Sequence, residues 1–291
     1  MKELIEANGM SRQNFYQRVS RLNLQKDEIA GILQVVEQIR RDHPRMAIRT
    51  IYEKIQPETL GRDKFEQLCS ENGLNVKKHR NYRNTTNSKG VVRFPNLIDN
   101  IELTGVNQVF VSDITYYEMK GKFYYLTFIM DLFNREIVGY SESSSLRTVN
   151  TTIPSLNMLI KNRGMQNLAG SIFHSDGGGQ YYSKEFVELT GKMKIINSMT
   201  QQEVNENAHA ERLNGIIKNN YLYPYNPQNR SQLKKSMHKA VWMYNNQKPH
   251  KALKNLTPVE YREIKTIDSE NISARYCPLS TAYHYNQKVL N

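Results

Sequence analysis

Cysteine is scarce. The 291 residues hold two, Cys69 and Cys277, far apart in the chain. That is no disulfide framework, and the count suits a reducing cytoplasm. It also excludes a zinc module built from paired cysteines. No apolar run reaches the roughly 18 to 20 residues that span a bilayer. The opening MKELIEANGM lacks the long apolar core of a signal peptide. The sequence therefore reads as a soluble intracellular protein. Acids are in deficit: 28 Asp and Glu against 40 Lys and Arg, a formal net charge of +12. Such an excess draws polyanions and is silent about fold. Nucleic acid is the commonest large polyanion that a soluble basic protein meets.

The first quarter reads as helical. KELIEANGMSRQNFYQRVSRL suggests a short helix, an Asn8-Gly9 turn and a second helix capped by Ser11, with Leu4, Ile5, Phe15 and Val19 on the inner faces. Two helices joined by a short glycine turn have the shape of a helix-turn-helix, or of a plain helical hairpin. A second unit follows. Ile29, Ile32, Leu33, Val36 and Ile39 repeat at helical spacing, and MAIRTIYEKI and GRDKFEQLCSEN read as two more helices ended by Gly73. The last would be the helix that enters a major groove. Arg12 and Arg18 on the first unit, and Arg62 and Lys64 on the last helix, are the candidate DNA contacts. Residues 77 to 93 carry Lys77, Lys78, Arg80, Arg83, Lys89 and Arg93 without one acid. This is a basic linker suited to tracking phosphates. The expected units are thus 1–24 and 25–76, both helical, then a linker over 77–98.

From about residue 100 the texture changes. QVFVSDITYYEM, KFYYLTFIMD and REIVGYSES are strand-like, and the short breaks between them predict antiparallel neighbours. A helix near 146–163, started or kinked by Pro154, precedes the strand GSIFHSD. The helix SKEFVELTG then precedes the strand MKIIN. Intervening helices predict parallel strands. A long helix from about 205 to 222 follows. The natural assembly is α/β: a mixed five-stranded sheet with helices on its faces, over residues 99–265. Trp242, with Val241 and Tyr244 on an amphipathic helix, is expected in the core. Residues 266–291 form a tail.

Three acids are awkwardly placed. Asp113 lies within a strand, in FVSDITYY, where burial costs several kcal/mol unless the charge is paired or binds metal. Asp176 ends a later strand, in IFHSDGGGQYY. If those strands are neighbours their backbones lie about 5 Å apart. Two carboxylates that close raise each other's pKa unless a cation sits between them, and Mg²⁺ is the natural one. On the helix NENAHAERLNGIIKNNYL, Asn207, Glu211, Asn214 and Lys218 share one face, while Leu213, Ile216, Ile217 and Tyr221 supply the buried one. The three glycines after Asp176 are not followed by Gly-Lys-Ser/Thr, so they do not form a P-loop. They would leave room for a backbone to approach. His174, two residues before Asp176, is expected to support it by a hydrogen bond rather than to ligate metal. Asp131, at a strand end, is expected to organise a turn. His209 and His250 read as local structural or DNA-contact residues.

Taken together, VSDITYY, HSDGGGQY and ENAHAERLNGIIK resemble the three acidic motifs of the DDE transposases of the insertion-sequence-three family. There are 62 residues between Asp113 and Asp176 and 34 between Asp176 and Glu211, the latter close to the family's interval. YYLTFIMDLFNREIVGY and MYNNQKPHKALKNLTPVEY resemble further family segments, and GMSRQNFYQR its second-reading-frame N-terminus. The match runs from residue 1 to about 265. It departs at Glu206, where the family usually has Asp, and at Gly177, where it often has Arg. The resemblance implies a ribonuclease-H-like fold preceded by helix-turn-helix DNA-binding modules. It implies Asp113, Asp176 and Glu211 as catalytic ligands of two Mg²⁺, with Mn²⁺ able to substitute. Asn207, Asn214 and His174 would support them and Lys218 would meet DNA. Partners would be double-stranded DNA of the terminal inverted repeats and of the target, a second copy of the chain, and an upstream reading-frame product, in the bacterial cytoplasm and on the nucleoid when bound. A circular intermediate is integrated in this family. Two other classes stay open: a DNA-binding regulator with an inactive catalytic domain, and a ribonuclease-H-like nuclease for hybrids or junctions. The intact acid set favours transposition over the first, and the helical modules argue against the second.

Overall fold

The computed structural model describes residues 11–76, 93–99, 101–201 and 207–275, with side chains described to residue 266. Leu4, Ile5, the Asn8-Gly9 turn, Lys77, Lys78, Arg80, Arg83, Lys89, Glu206 and the end of the tail lie outside the described residues. Ser11 begins helix α1 (Arg12–Asp42) as its pattern suggests, its hydroxyl accepting from the Asn14 amide at 3.2 Å. The helix then runs 31 residues without interruption, where two helices were expected. The span LNLQKDE between them holds no glycine or proline, and Leu, Gln, Lys and Glu propagate a helix well. Phe15 is only half-buried and Val19, expected inside, is 36% exposed. The second half of α1 packs with α2 (Ile48–Ile55) and α3 (Arg62–Glu71) around Val36, Met46, Ile51, Phe65 and Cys69. Gly73 follows α3 at a φ of +68°, a left-handed conformation that glycine adopts freely.

Strands β1 (Val109–Met119), β2 (Lys122–Asp131) and β3 (Ile137–Ser143) are antiparallel neighbours. The chain then passes through α4 (Thr152–Arg163), β4 (Ile172–Ser175), α5 (Lys184–Lys192) and β5 (Ile196–Met199), with β4 parallel to β1 and β5 parallel to β4. The order across the sheet is β3-β2-β1-β4-β5. This is the mixed five-stranded, ribonuclease-H-like sheet expected from the strand pattern. Pro154 sits in the first turn of α4, where a missing N–H leaves no bond unmade. Gly139 on β3 lets α4 approach closely, since a Cβ there would collide with the Ser155 carbonyl.

Alternation along β1 sorts its side chains between two cores. Phe110 joins Leu156, Leu159, Phe173 and Phe186 on the α4–α5 face. Val109, Val111, Tyr117 and Met119 join the other face, under α6 (Ala208–Ile217) and α7 (Arg230–Asn246), with Leu213, Ile217, Leu233 and Tyr244. Each large apolar side chain so buried stabilises by about 1.5–3 kcal/mol. Asp113 and Thr115 belong to this second series, so a polar notch interrupts an apolar row beneath α6. The helix expected to run to about 222 changes form: after Ile217 it widens into a π turn over Lys218–Leu222. Trp242, expected in the core, is 48% exposed. The buried stripe of α7 is Leu233, Met237, Ala240, Val241 and Tyr244, and Trp242 lies beside it. The last helix, α8, spans Pro258–Arg275.

The helical module docks on the C-terminal helices. His43 Nδ1 lies 3.0 Å from the buried Tyr221 hydroxyl, and the Tyr225 hydroxyl donates to the Asp42 carbonyl at 2.8 Å. Burial lowers the His43 pKa to about 4, so its ring is neutral at this junction. Among the described residues no helix is long and apolar enough to cross a membrane.

Candidate active site

Ser112 on β1 pairs with Ser175 on the parallel strand β4. The next residues are Asp113 and Asp176, so two carboxylates leave adjacent strands at the same level. Burial is the main reason that the Asp113 pKa is pushed up to about 7, followed by the negative charges of Asp176 and Glu211. Burial also raises the Asp176 carboxyl, while the Gly178 N–H, donating to Oδ1 at 3.1 Å, works the other way. The glycines here serve Asp176 itself: a Cβ on Gly178 would stand 3.0 Å from Asp176 Oδ1.

Helix α6 lies across this pair. The Asn214 amide donates to Asp113 Oδ2 at 2.8 Å, and the Asn207 amide donates to the Ser112 carbonyl at 2.9 Å. These are two points of the polar face that the sequence spacing indicated. Glu211, on the same face, is exposed and close enough to act on Asp113 electrostatically. Lys218, expected to meet DNA, has partners within the protein. Its ammonium donates to Thr115 Oγ1 at 2.6 Å and to the Tyr116 carbonyl at 3.4 Å, and lies over the Tyr116 ring. Among the described residues no three His, Cys, Asp or Glu side chains are drawn together as a finished metal cage. Asp113 and Asp176 form a pair on neighbouring strands, with a third carboxylate on α6 within electrostatic reach of Asp113.

His174 is fully buried, its Nδ1 2.9 Å from the Ser198 hydroxyl on β5. It braces the strand that carries Asp176. Asp131 organises a turn, accepting from the Asn107 and Phe133 backbone N–H groups at 2.7 and 3.1 Å. Its partner across the ladder is Phe110, three residues along β1 from Asp113. Arg12, Arg18, Arg62 and Lys64 are exposed on α1 and α3, with Arg62 also 3.1 Å from Asp63. Sequence reasoning missed Ser112 and Tyr181. The Tyr181 ring is fully buried against Phe173 and Phe186, with its hydroxyl 2.9 Å from Ser112 Oγ. Ser112 in turn donates to the Phe128 carbonyl. The loop after Asp176 is thereby tied to the residue before Asp113. No local pattern marks one tyrosine of a Tyr-Tyr pair for this task.

Residues 104–203 match one integrase core domain family, and residues 195–258 a second of the same description. The 31 kDa protein of insertion element IS600 from Shigella sonnei is 32% identical over 208 residues, which cover 70% of this chain and 75% of that one. The putative transposase InsK of insertion sequence element IS150 from Escherichia coli (strain K12) is 26% identical over 276 residues, 90% of this chain and 93% of that one. The catalytic core domain of HTLV-2 integrase is 24% identical, covering 54% of this chain and 97% of the other, with a TM-score of 0.44.

Proposed function

The chain belongs to the DDE transposases of insertion sequences that are built on an integrase core domain, which are polynucleotidyl transferases, and from that premise we propose that it binds the terminal inverted repeats of its element and cuts and joins their strands at Asp113, Asp176 and Glu211. The observation that carries this reading is the Asp113–Asp176 pair on neighbouring strands, with α6 bringing Asn214 onto one carboxylate and Glu211 into its field.

The donor set suits a hard divalent cation. Carboxylates that raise each other's pKa are unfavourable alone and become favourable around such an ion, which prefers carboxylate oxygens, water and phosphate. We assign Mg²⁺, with Mn²⁺ as a substitute, to Asp113, Asp176 and Glu211. A bound pair of such ions supplies charge stabilisation for the attacking and leaving oxygens at phosphorus. The chain's own groups prepare the acids for that role. Asn214 fixes Asp113 Oδ2, the Gly178 N–H fixes Asp176 Oδ1, and His174 with Ser198 braces β4. The nucleophiles are water and then a DNA 3′-hydroxyl, so no covalent protein–DNA bond forms. Arg12, Arg18, Arg62 and Lys64, with the linker residues Lys77, Lys78, Arg80 and Arg83, are assigned to DNA phosphates, and paired ends call for at least two copies of the chain. Asp113→Asn is expected to abolish Mg²⁺-dependent nicking of terminal-repeat DNA while DNA binding survives. Nicking at the wild-type rate would overturn the assignment.

A further inference from the structure

One group of basic side chains takes no part in the chemistry above. Arg135 lies in the turn between β2 and β3, Arg212 follows Glu211 on α6, and Lys248 and His250 lie just beyond α7. These distant parts of the chain meet around one buried ring, that of Tyr244 on α7. The Lys248 ammonium lies over the Tyr244 ring at 5.8 Å, and His250 packs edge-on against it at 4.8 Å. Arg135 and Arg212 both act electrostatically on Tyr244 and on His250.

The cluster is short of negative charge. Among the described residues the one carboxylate that acts on Arg135 is Asp131, and its oxygens already serve the Asn107 and Phe133 N–H groups, with Arg163 3.8 Å away. Arg135 Nη1 and His250 Nε2 are buried without a hydrogen-bond partner. Arg135 also holds a left-handed φ of +62°, which long side chains rarely adopt. Burial first, and then the neighbouring cations, lower the Lys248 amine to about 8 and the His250 ring to about 3. Convergent positive charges, a buried guanidinium N–H without a partner and an uncommon backbone conformation are a poor way to stabilise a fold. They are what an anion site requires.

We propose that Arg135, Arg212 and Lys248, with His250 packed on the same Tyr244 ring, bind a backbone phosphate of the DNA strand that lies on the three acids. Arg212 adjoins Glu211 in the chain, their Cα atoms about 3.8 Å apart and their side chains about 100° apart around α6, so the phosphate assigned to the cluster is a neighbour of the one on the acids and not the same one. Guanidinium forks match paired phosphate oxygens. Such a contact carries no sequence information and sets the position of the strand relative to the acids. The identity of the polyanion as DNA rests on the transposase reading. The cluster itself does not.

The test uses the full chain and duplex DNA of the element's end, without divalent metal so that no cleavage occurs. Lys248→Met keeps an apolar stem on Tyr244, and Arg212→Gln changes an exposed position. Each is expected to weaken binding about five- to tenfold near 0.1 M salt and to lower the slope of log affinity against log salt by about one. Lys248→Met should also raise the melting temperature of the free protein, because a repelled cation is gone. Unchanged affinity and slope in both variants would overturn the proposal, as would a lowered melting temperature with an unchanged slope. Inorganic phosphate serves as the second probe. If it stabilises the wild type more than Lys248→Met while both bind DNA alike, the site takes free phosphate and its assignment to DNA is wrong. An Asp113→Asn variant that still nicks would defeat the catalytic reading and leave these binding results intact, so the two failures are distinguishable.

Discussion

Replacing Asp113 by asparagine tests what the fold gives up to hold its acids together. The Asp113 carboxyl is raised from 3.8 to about 7, chiefly by burial and then by Asp176 and Glu211. That is about three pKa units, and at 1.36 kcal/mol per unit the ionised form costs the fold about 4 kcal/mol. Asp113 is not wholly closed off from solvent, so screening brings the figure to about 2–4 kcal/mol. The sign follows from linkage. The folded state holds this proton more tightly than the unfolded state does, so the penalty is absent below about pH 4, grows between pH 4 and 7, and is constant above. Asparagine keeps the shape and has no charge to desolvate, and the Asn214 amide can still donate to its oxygen. In chelator-treated protein the variant should match the wild type near pH 4 and exceed it by about 2–4 kcal/mol at pH 8. Denaturant titrations at pH 4, 6 and 8 measure this directly. Added Mg²⁺ should then stabilise the wild type at pH 8 and leave the variant little changed. A variant less stable at pH 8, or a difference that ignores pH, would refute the claim that Asp113 carries an uncompensated buried charge.

Three further substitutions probe the frame around the acids. Tyr181→Phe removes the hydroxyl beside Ser112 and should cost about 1 kcal/mol in denaturant titration, with a larger proportional loss of strand cleavage because Ser112 precedes Asp113. Cleavage at the wild-type rate would show that this tie does not position the acids. Gly139→Ala drives a Cβ into the Ser155 carbonyl and should destabilise by about 1–3 kcal/mol, and an unchanged thermal melt would mean that α4 shifts freely on β3. Neutralising Lys77, Lys78, Arg80 and Arg83 together should flatten the salt dependence of DNA binding by about three to four in slope, at about 0.9 per phosphate contact. A slope equal to the wild type's would remove the linker from the DNA interface.

The sheet was legible because its two kinds of connection leave different marks. Short polar breaks between apolar, β-rich runs announce hairpins, and both hairpins form. Helical spacing between later runs announces crossovers, and β4 and β5 are parallel although each is only four residues long. The misreadings share another cause. Two apolar-patterned units in the first 42 residues were expected to be separate helices, yet a break needs a residue that stops propagation, and the span between them has none. Trp242 looked interior by its chemistry and its neighbours. On α7 a one-residue step turns a side chain about 100° around the axis, enough to carry an aromatic ring out of the stripe that buries Val241.

The acids were legible for a different reason: each violates its local context. A carboxylate inside a β-rich run, another at a strand end before three glycines, and a third on a polar helix face with a defined period can all be noticed one at a time. Their mutual placement then follows from the topology, because strands in register bring Asp113 level with Asp176, and a helix laid across β1 presents every third or fourth residue to it. The supporting groups break no local rule. Tyr181 is an aromatic residue near a helix start, Ser112 a small residue in a strand, and Arg135, Arg212 and Lys248 are ordinary cations in a chain with an excess of them. Their peculiarity is that they converge, and convergence needs the β2–β3 turn, α6 and the segment after α7 to be packed around Tyr244. A sequence announces an isolated charge in the wrong place. It does not announce like charges gathered in one place, because nothing within any one segment is out of order until the fold brings the segments together.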